Sequence, residues 1–349
     1  MTSKLHELSD LICDSARAQL ATDRVNFIRI GEDAHGQRID NFLMRLARDV
    51  PKTHVYRIIR GGEVRVNKAR VKAETKLATG DIVRVPPIRT RKKESNTAPV
   101  LPKHALKILY EDRHLLVVDK PAGLASHGGS GVAHGLIERL RATRPEEPML
   151  ELAHRLDRET SGVLIVAKTR KALVRLHDMM KEGSIEKHYR TLVKGDWVND
   201  RQHVRFPLTR FLLPSGERRV KVDPVEGAPA HSIFTLLARY GTVSFLDVEL
   251  KTGRTHQIRV HALGSGYPLV GDDKYGDYEF NKACVHGLLG VPLKRMFLHA
   301  WRLRFTHPVT GKALDIQAPL PPELADVIRH LNEEAGITLA DAPDLVDAD

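Results

Sequence analysis

The chain has 349 residues, a formal net charge of +11, only 5% aromatic residues and two cysteines, Cys13 and Cys284. That length is ample for about two domains with sizeable cores, while two cysteines leave neither a disulfide framework nor a cysteine-based zinc site. No stretch has the apolar core of a signal peptide or approaches a membrane span, so the expected compartment is the cytoplasm.

Residues 1–30 mix polar and apolar groups without a start signal and are expected to be a disordered tail, with a short helix around Leu8 to Leu20. The charge is concentrated just after it. Between Gly36 and Ser95 stand ten Arg and six Lys against three Asp and three Glu, a net +10 that leaves +1 for the rest. A local basic patch points to a polyanionic partner, nucleic acid ahead of membrane. The plainer reading, a solvated basic face, does not account for that concentration. Ile39, Phe42, Leu43 and Leu46 recur at helical spacing. Pro51-Lys52-Thr53 is an N-cap candidate for a second short helix through Val55, Ile58 and Ile59, which Gly61-Gly62 stops. Val64-Arg65-Val66 alternates like a strand, Asn67-Lys68 turns it, and Ile82 to Val85 is another strand after Gly80-Asp81. Two short helices followed by a small basic sheet resemble the S4 RNA-binding domain. The resemblance implies a small α/β S4-like module over residues 31–88 that reads structured RNA through shape and phosphate contacts. Its RNA-binding side chains would be Arg57, Arg60, Arg65, Lys68 and Arg70.

Pro86 to Pro102 holds four prolines, the run Arg89 to Lys93 and no periodic apolar pattern. A linker over 89–104 is expected, about which the domains reorient. The second domain, 105–330, opens with Leu106 to Tyr110, a turn at Glu111-Asp112 and Leu115 to Val118, close enough to pair antiparallel. Lys120-Pro121-Ala122-Gly123 and His127-Gly128-Gly129-Ser130-Gly131 form a glycine-rich loop ahead of a helix starting at Leu136 to Leu140. A dinucleotide fingerprint from Gly129 fails because position 134 is His, and a nucleophile elbow on Ser130 fails because its last position is Val132. Close backbone approach to a substrate is the remaining use of the loop.

The stretch His154-Arg155-Leu156-Asp157-Arg158 leads through Thr160-Ser161-Gly162 into the apolar run Val163 to Ala167, a buried strand. Asp157 sits between two arginines, which would hold its carboxylate in the charged form if they point at it. A charged carboxylate on a rigid strand is a candidate nucleophile. A surface ion-pair cluster is the bland alternative, and spacing alone favours it. Leu173, Leu176 and Met180 mark an amphipathic helix ended by Gly183, and Lys187-His188-Tyr189-Arg190-Thr191-Leu192-Val193 alternates as a strand. Residues 200–229 read as an arginine-rich insertion or hairpin arm, and Val243 to Leu250 as a strand. It leads into Lys251-Thr252-Gly253-Arg254-Thr255-His256-Gln257-Ile258-Arg259-Val260-His261, a sharp turn and a helix start offering several donors. His154, His256 and His261 raise a metal reading. Their spacing matches no catalytic zinc pattern, and structural hydrogen bonding is the preferred role.

The motifs His154-Arg155-Leu156-Asp157, Lys187-His188-Tyr189 and Gly253-Arg254-Thr255-His256-Gln257-Ile258-Arg259 occur in this order in the RluA-type pseudouridine synthases, which the chain resembles. Lys120-Pro121-Ala122-Gly123 and Phe297-Leu298-His299-Ala300 are further matches. The S4-like module and Asp272-Asp273-Lys274-Tyr275-Gly276-Asp277 bring it closest to the type C branch acting on large-subunit (23S) rRNA. The resemblance implies an α+β fold with a mixed, mainly antiparallel central sheet, helices around a cleft, and conversion of uridine to pseudouridine. It implies that Asp157 acts on the ribose of a flipped-out uridine, by adding to C1′ or by taking the C2′ proton. Arg259 would be its cationic partner, with Arg254 the alternative, holding a phosphate instead. Tyr189 would stack on the base and collect the C5 proton; read from the residues alone it would be a core or edge aromatic. Arg155 would enter the space the base leaves, with Leu156, His256, Gln257 and Ile258 also binding substrate. No metal, nucleotide or other cofactor is implied, and the partner is large-subunit rRNA or a pre-ribosomal particle, not a membrane. Two rivals remain: a non-catalytic RNA-binding or ribosome-assembly factor, and a metal-dependent phosphodiesterase. Residues 331–349, with Asp341, Asp344, Asp347 and Asp349, are expected to be a disordered acidic tail.

Overall fold

A computed structural model of the chain describes residues 11–12, 20–47, 50–88, 106–128 and 135–337. The linker 89–104, residues 129–134 of the glycine-rich loop, and the acidic residues beyond 337 lie outside them. The chain divides into two compact units, the first comprising residues 1–103 with 144–150 and 168–171, and the second the remainder.

In the first unit, strands β1 (Leu11–Ile12), β2 (Asn26–Arg29), β3 (Arg65–Val66), β4 (Ala69–Arg70) and β5 (Ile82–Val85) form one sheet in the order β1-β2-β5-β3-β4. Helices α1 (Ile39–Leu46) and α2 (Lys52–Arg60) supply Ile39, Phe42, Leu43, Val55, Ile58 and Ile59 to a core that includes Ile28, Val64, Val83 and Val85. These are the apolar positions that repeat at helical and strand spacing. The β3–β4 turn is Asn67-Lys68 with φ of 48° and 71°, the pair of positive values that a two-residue hairpin needs to match strand twist. Three expectations change. The folded module begins before residue 31, because β2 pairs with β5 and buries Ile28 completely. The Asn26 amide braces that entry, accepting from the Ala21 N–H and donating to the carbonyls of Ala21 and Arg24. Leu11 and Ile12 form a strand parallel to β2 rather than part of a helix; most of the rest of 8–20 lies outside the described residues. Thr53 does not cap α2, since the helix starts at Lys52 and places Thr53 inside its first turn.

The second unit is built on a ten-stranded sheet. Its strands are β6 (Lys107–Glu111), β7 (Leu115–Lys120), β8 (Glu151–Leu152), β9 (Ser161–Ala167), β10 (Glu186–Lys194) and β11 (Arg201–Val204), then β14 (Ser232–Arg239), β15 (Val243–Leu250), β16 (Leu298–Thr306) and β17 (Ala313–Gln317). Between β11 and β14 the expected arm is a separate hairpin, β12 (Leu208–Leu212) and β13 (Arg218–Val222). The main path runs β11-β14-β15-β10-β16-β9-β7-β6, with β17 on β16 and β8 on β9. Every pairing in it is antiparallel except β9 with β16. All seven residues of β9 are buried, as an apolar β-branched run in a central strand should be.

Helices α3 (Leu136–Thr143), α4 (Arg170–Glu182), α5 (Gln257–Gly264), α6 (Tyr278–Val285) and α7 (Pro322–Ala335) complete the unit. On α4 the buried stripe is Ala172, Leu173, Leu176 and Met179, so Met179 rather than Met180 continues the helical spacing. Helix α7 runs past residue 330, burying Leu331 and Asn332 before Gly336 ends it at φ 68°. The unit therefore includes the first part of the segment read as an acidic tail. Among the described residues no helix is long and apolar enough to cross a membrane.

Candidate active site

Asp157 stands in the loop between β8 and β9, and that loop is tied down through its backbone. Ser126 Oγ accepts the Leu156 N–H at 3.1 Å and donates to the Leu156 carbonyl at 2.8 Å. Buried Lys120 donates to the carbonyls of Leu124, Pro121 and Arg158 at 2.8, 3.0 and 3.1 Å, and burial pulls its ammonium down to about 7. Arg295 donates to the Glu159 carbonyl and to Ser161 Oγ. The exit from the loop passes Gly162 at φ 110°, where a Cβ would lie 2.1 Å from the Ala300 carbonyl oxygen, so only glycine lets β9 and β16 approach there. None of these ties uses the Asp157 side chain, which remains 29% exposed at the loop's apex.

The two flanking arginines do not hold Asp157. The Arg155 guanidinium meets His127 Nε2 at 3.1 Å, and Arg158 donates to the Gly123 carbonyl. The partner comes instead from α5. Arg259 Nη1 lies 3.4 Å from Asp157 Oδ2, while its Nε and Nη2 grip Asp272 at 2.7 and 2.6 Å and Nη2 reaches Asp273 at 3.3 Å. Burial alone would lower this guanidinium, but the hydrogen bonds and charge of Asp272 outweigh it and raise it above its ordinary value. Burial pushes the Asp272 carboxyl up, and the bidentate grip of Arg259 holds it below the usual carboxylate range instead. Arg254 is exposed on the turn, donates to the Pro229 carbonyl and does not reach Asp157.

Tyr189 comes from β10, where the pairing with β16 slips between His188 and Tyr189. It is buried, and burial first, then the charge of Asp157, pushes its phenol above the ordinary tyrosine value. His256 caps α5 in the left-handed region at φ 53°, with Nε2 3.9 Å from Asp157 Oδ2 and Nδ1 2.8 Å from the Tyr275 hydroxyl. Burial lowers His256 below the ordinary histidine value. Gln257 lines the cleft with its amide fully engaged: Oε1 accepts from Thr252 and Arg254, and Nε2 donates to His231 and Ser232. It braces the turn. Leu156 and Ile258 are buried apolar walls.

These residues line one open cleft, together with Thr160, Leu250, Gly253 and Leu298. The other two histidines have structural partners: His154 Nε2 accepts the Ile165 N–H, and His261 bridges Ser232 Oγ and the Phe206 carbonyl. Asp272 and Tyr275 were visible in the sequence only as part of a motif; nothing in their spacing told that they hold Arg259 and His256.

In the first unit Arg57, Arg60, Arg65, Lys68 and Arg70 are all exposed. Arg65 pairs directly with Arg70 across one ladder and with Arg84 across the other, so three guanidinium-bearing residues stand in one row on one face. Like charges directly opposite destabilise a sheet, and an anionic partner would relieve the repulsion.

The model of the RNA pseudouridylate synthase family matches residues 114–263, and that of the S4 domain matches residues 37–83. A Salmonella typhi protein named ribosomal large subunit pseudouridine synthase C is 48% identical over 318 residues, covering 90% of this chain and 99% of that protein. The Escherichia coli K12 protein of the same name is 48% identical over 314 residues, covering 89% and 98%. Among solved structures, human RNA pseudouridylate synthase domain containing 1 is 27% identical with a TM-score of 0.52, covering 64% of this chain and 87% of that one.

Proposed function

Because this chain belongs to the RNA pseudouridylate synthase family, we propose that it isomerises specific uridines of large-subunit (23S) ribosomal RNA to pseudouridine, with Asp157 acting on the ribose of a flipped-out uridine. The observation that carries this reading is the meeting of Asp157 and Arg259 at 3.4 Å in a cleft walled by Tyr189. The N1–C1′ bond breaks, a C5–C1′ bond forms, C5 gives up its proton and N1 gains one; no co-reactant is needed for that balance. A carboxylate beside a guanidinium suits either attack on C1′ or removal of the C2′ proton. Tyr189, kept protonated by burial, offers a ring face to a base taken out of its stack. Arg155, exposed and lining the cleft, would fill the gap the base leaves, and Arg254, also lining it, would meet a phosphate.

The test maps pseudouridine in large-subunit rRNA from cells with and without the protein, and assays tritium release from 5-tritiated transcripts by the purified chain. Positions lost in the cells and restored in vitro are expected. An unchanged map together with no tritium release would overturn the reading and leave an RNA-binding assembly factor in its place.

The S4 unit is proposed to anchor the same RNA through phosphates. Replacing Arg65 and Arg70 together by Glu should weaken RNA binding at least ~10-fold at ~0.1 M salt, and reduce the slope of log affinity against log salt by about 2. The melting temperature should change little, since both side chains are exposed and the β3–β4 ladder exchanges one like-charge pair for another while the 65–84 pair becomes opposite in charge. Filter binding across a salt series checks this, and an unchanged slope would remove these side chains from the interface.

A further inference from the structure

We infer that His256, locked in one tautomer by Tyr275, is a positioning residue that decides which oxygen of Asp157 meets the substrate: Oδ2 is the anchored oxygen and Oδ1 the reacting one. The inference rests on the pseudouridylation reading above. Arg259 Nη1 approaches Oδ2 at 3.4 Å, and His256 Nε2 approaches that same oxygen at 3.9 Å. Among the described residues no hydrogen bond or ion pair reaches Oδ1.

The tautomer follows from the hydrogen bonds behind the ring. The Tyr275 hydroxyl accepts the Val220 N–H at 2.9 Å, so its own proton is free to go to His256 Nδ1 at 2.8 Å. A ring nitrogen that accepts there carries no hydrogen, and the imidazole proton must then sit on Nε2, facing Asp157. The backbone is bent to the same end. His256 occupies the left-handed region that few non-glycine residues adopt, and its carbonyl still accepts the Val260 N–H to start α5. Tyr275 also lies under Arg259, with the guanidinium carbon 5.0 Å from its ring centre, so one residue touches both groups that converge on Oδ2.

Either route at the ribose needs a lone pair aimed in one direction, and a carboxylate free to swing offers both oxygens at random. A hydrogen bond from Arg259 and a polar N–H 3.9 Å away, both on the Oδ2 side, bias the carboxylate against that swing. A neutral N–H does so without a second full positive charge beside the acting carboxylate. The first charge is already divided, because Arg259 is shared with Asp272 and Asp273.

The experiment compares His256→Gln, His256→Asn and Tyr275→Phe in the full chain, by single-turnover kinetics and melting temperature beside wild type. Asn suits a left-handed backbone better than Gln, whereas the longer Gln places its amide N–H near the position of Nε2. The expected order is therefore opposite in the two readouts: Asn at least as stable as Gln, but slower. The expected loss in kcat is ~10²-fold for Asn, with KM little changed, and within about tenfold for Gln. Tyr275→Phe should fall between them. Nitrogen NMR of the His256 ring should find Nδ1 unprotonated, whatever the activities. If kcat follows melting temperature, with Asn as active as Gln, or if Nδ1 bears the proton, the inference is overturned and the ring is only a helix cap. No turnover by wild type would instead overturn the underlying reaction, and this inference with it.

Discussion

Asp157→Asn is expected to lower kcat by roughly 10⁴-fold or more while leaving RNA affinity and melting temperature almost unchanged. The amide has the shape of the carboxylate but neither attacks C1′ nor takes a proton from C2′, so both routes stop together. Stability should survive, because the loop is held through Ser126, Lys120 and Arg295 on the backbone at Leu156, Arg158 and Glu159, and not through the side chain at its apex. Nor is Arg259 left as a buried unpaired cation: it keeps its bidentate grip on Asp272. Single-turnover tritium release, filter binding and a melting curve on one preparation check all three. Activity within about tenfold of wild type would take Asp157 out of the reaction.

That separation of catalysis from stability also explains what the sequence could and could not disclose. Helices α1 and α2 were legible because Ile39, Phe42, Leu43, Val55, Ile58 and Ile59 repeat at short range, and short-range apolar repeats are set locally. Strand β2 was not, because its four residues are stabilised by pairing with β5, far along the chain, and carry no alternating signature of their own. The same division runs through the site. A carboxylate before a buried strand and a donor-rich turn are local features, and the resemblance gave them roles.

Side-chain direction is not local. Arg155 and Arg158 flank Asp157 in sequence yet turn to His127 and Gly123. Arg259 and Arg254 could not be ranked by spacing; α5 buries the first and leaves the second exposed on the turn before it. Gln257 looked like a substrate donor, and only the fold reveals that both ends of its amide are taken up by the turn and β14.

The second large effect is expected at a residue that does not face the cleft. Asp272 is fully buried at its side chain and carries Arg259 on both oxygens, while Oδ1 also accepts the N–H groups of Lys274 and Tyr275. In Asp272→Asn the oxygen can keep the two amides, but the new NH₂ confronts Arg259 Nε, donor against donor, and the cation loses the charge that compensates its burial. Breaking a buried pair in this way costs ~3–5 kcal/mol, a fall in melting temperature of about 10 °C for a unit of this size. Because the folded carboxyl lies below its unfolded value, the stabilisation is complete above the ordinary carboxylate range and is lost as pH falls through the folded value. The gap between wild type and variant should therefore be full at neutral pH and shrink in acid. Activity should fall with it, by ~10²-fold in kcat, since Arg259 without Asp272 has only Asp157 and the exposed Asp273 to pair with, and a closer pairing with Asp157 withdraws the carboxylate from the ribose. Melting curves from neutral to acidic pH, with single-turnover rates well below the variant's melting point, separate the two effects. A variant that melts with wild type at neutral pH would mean that Arg259 is held by its packing on Tyr275 and not by Asp272.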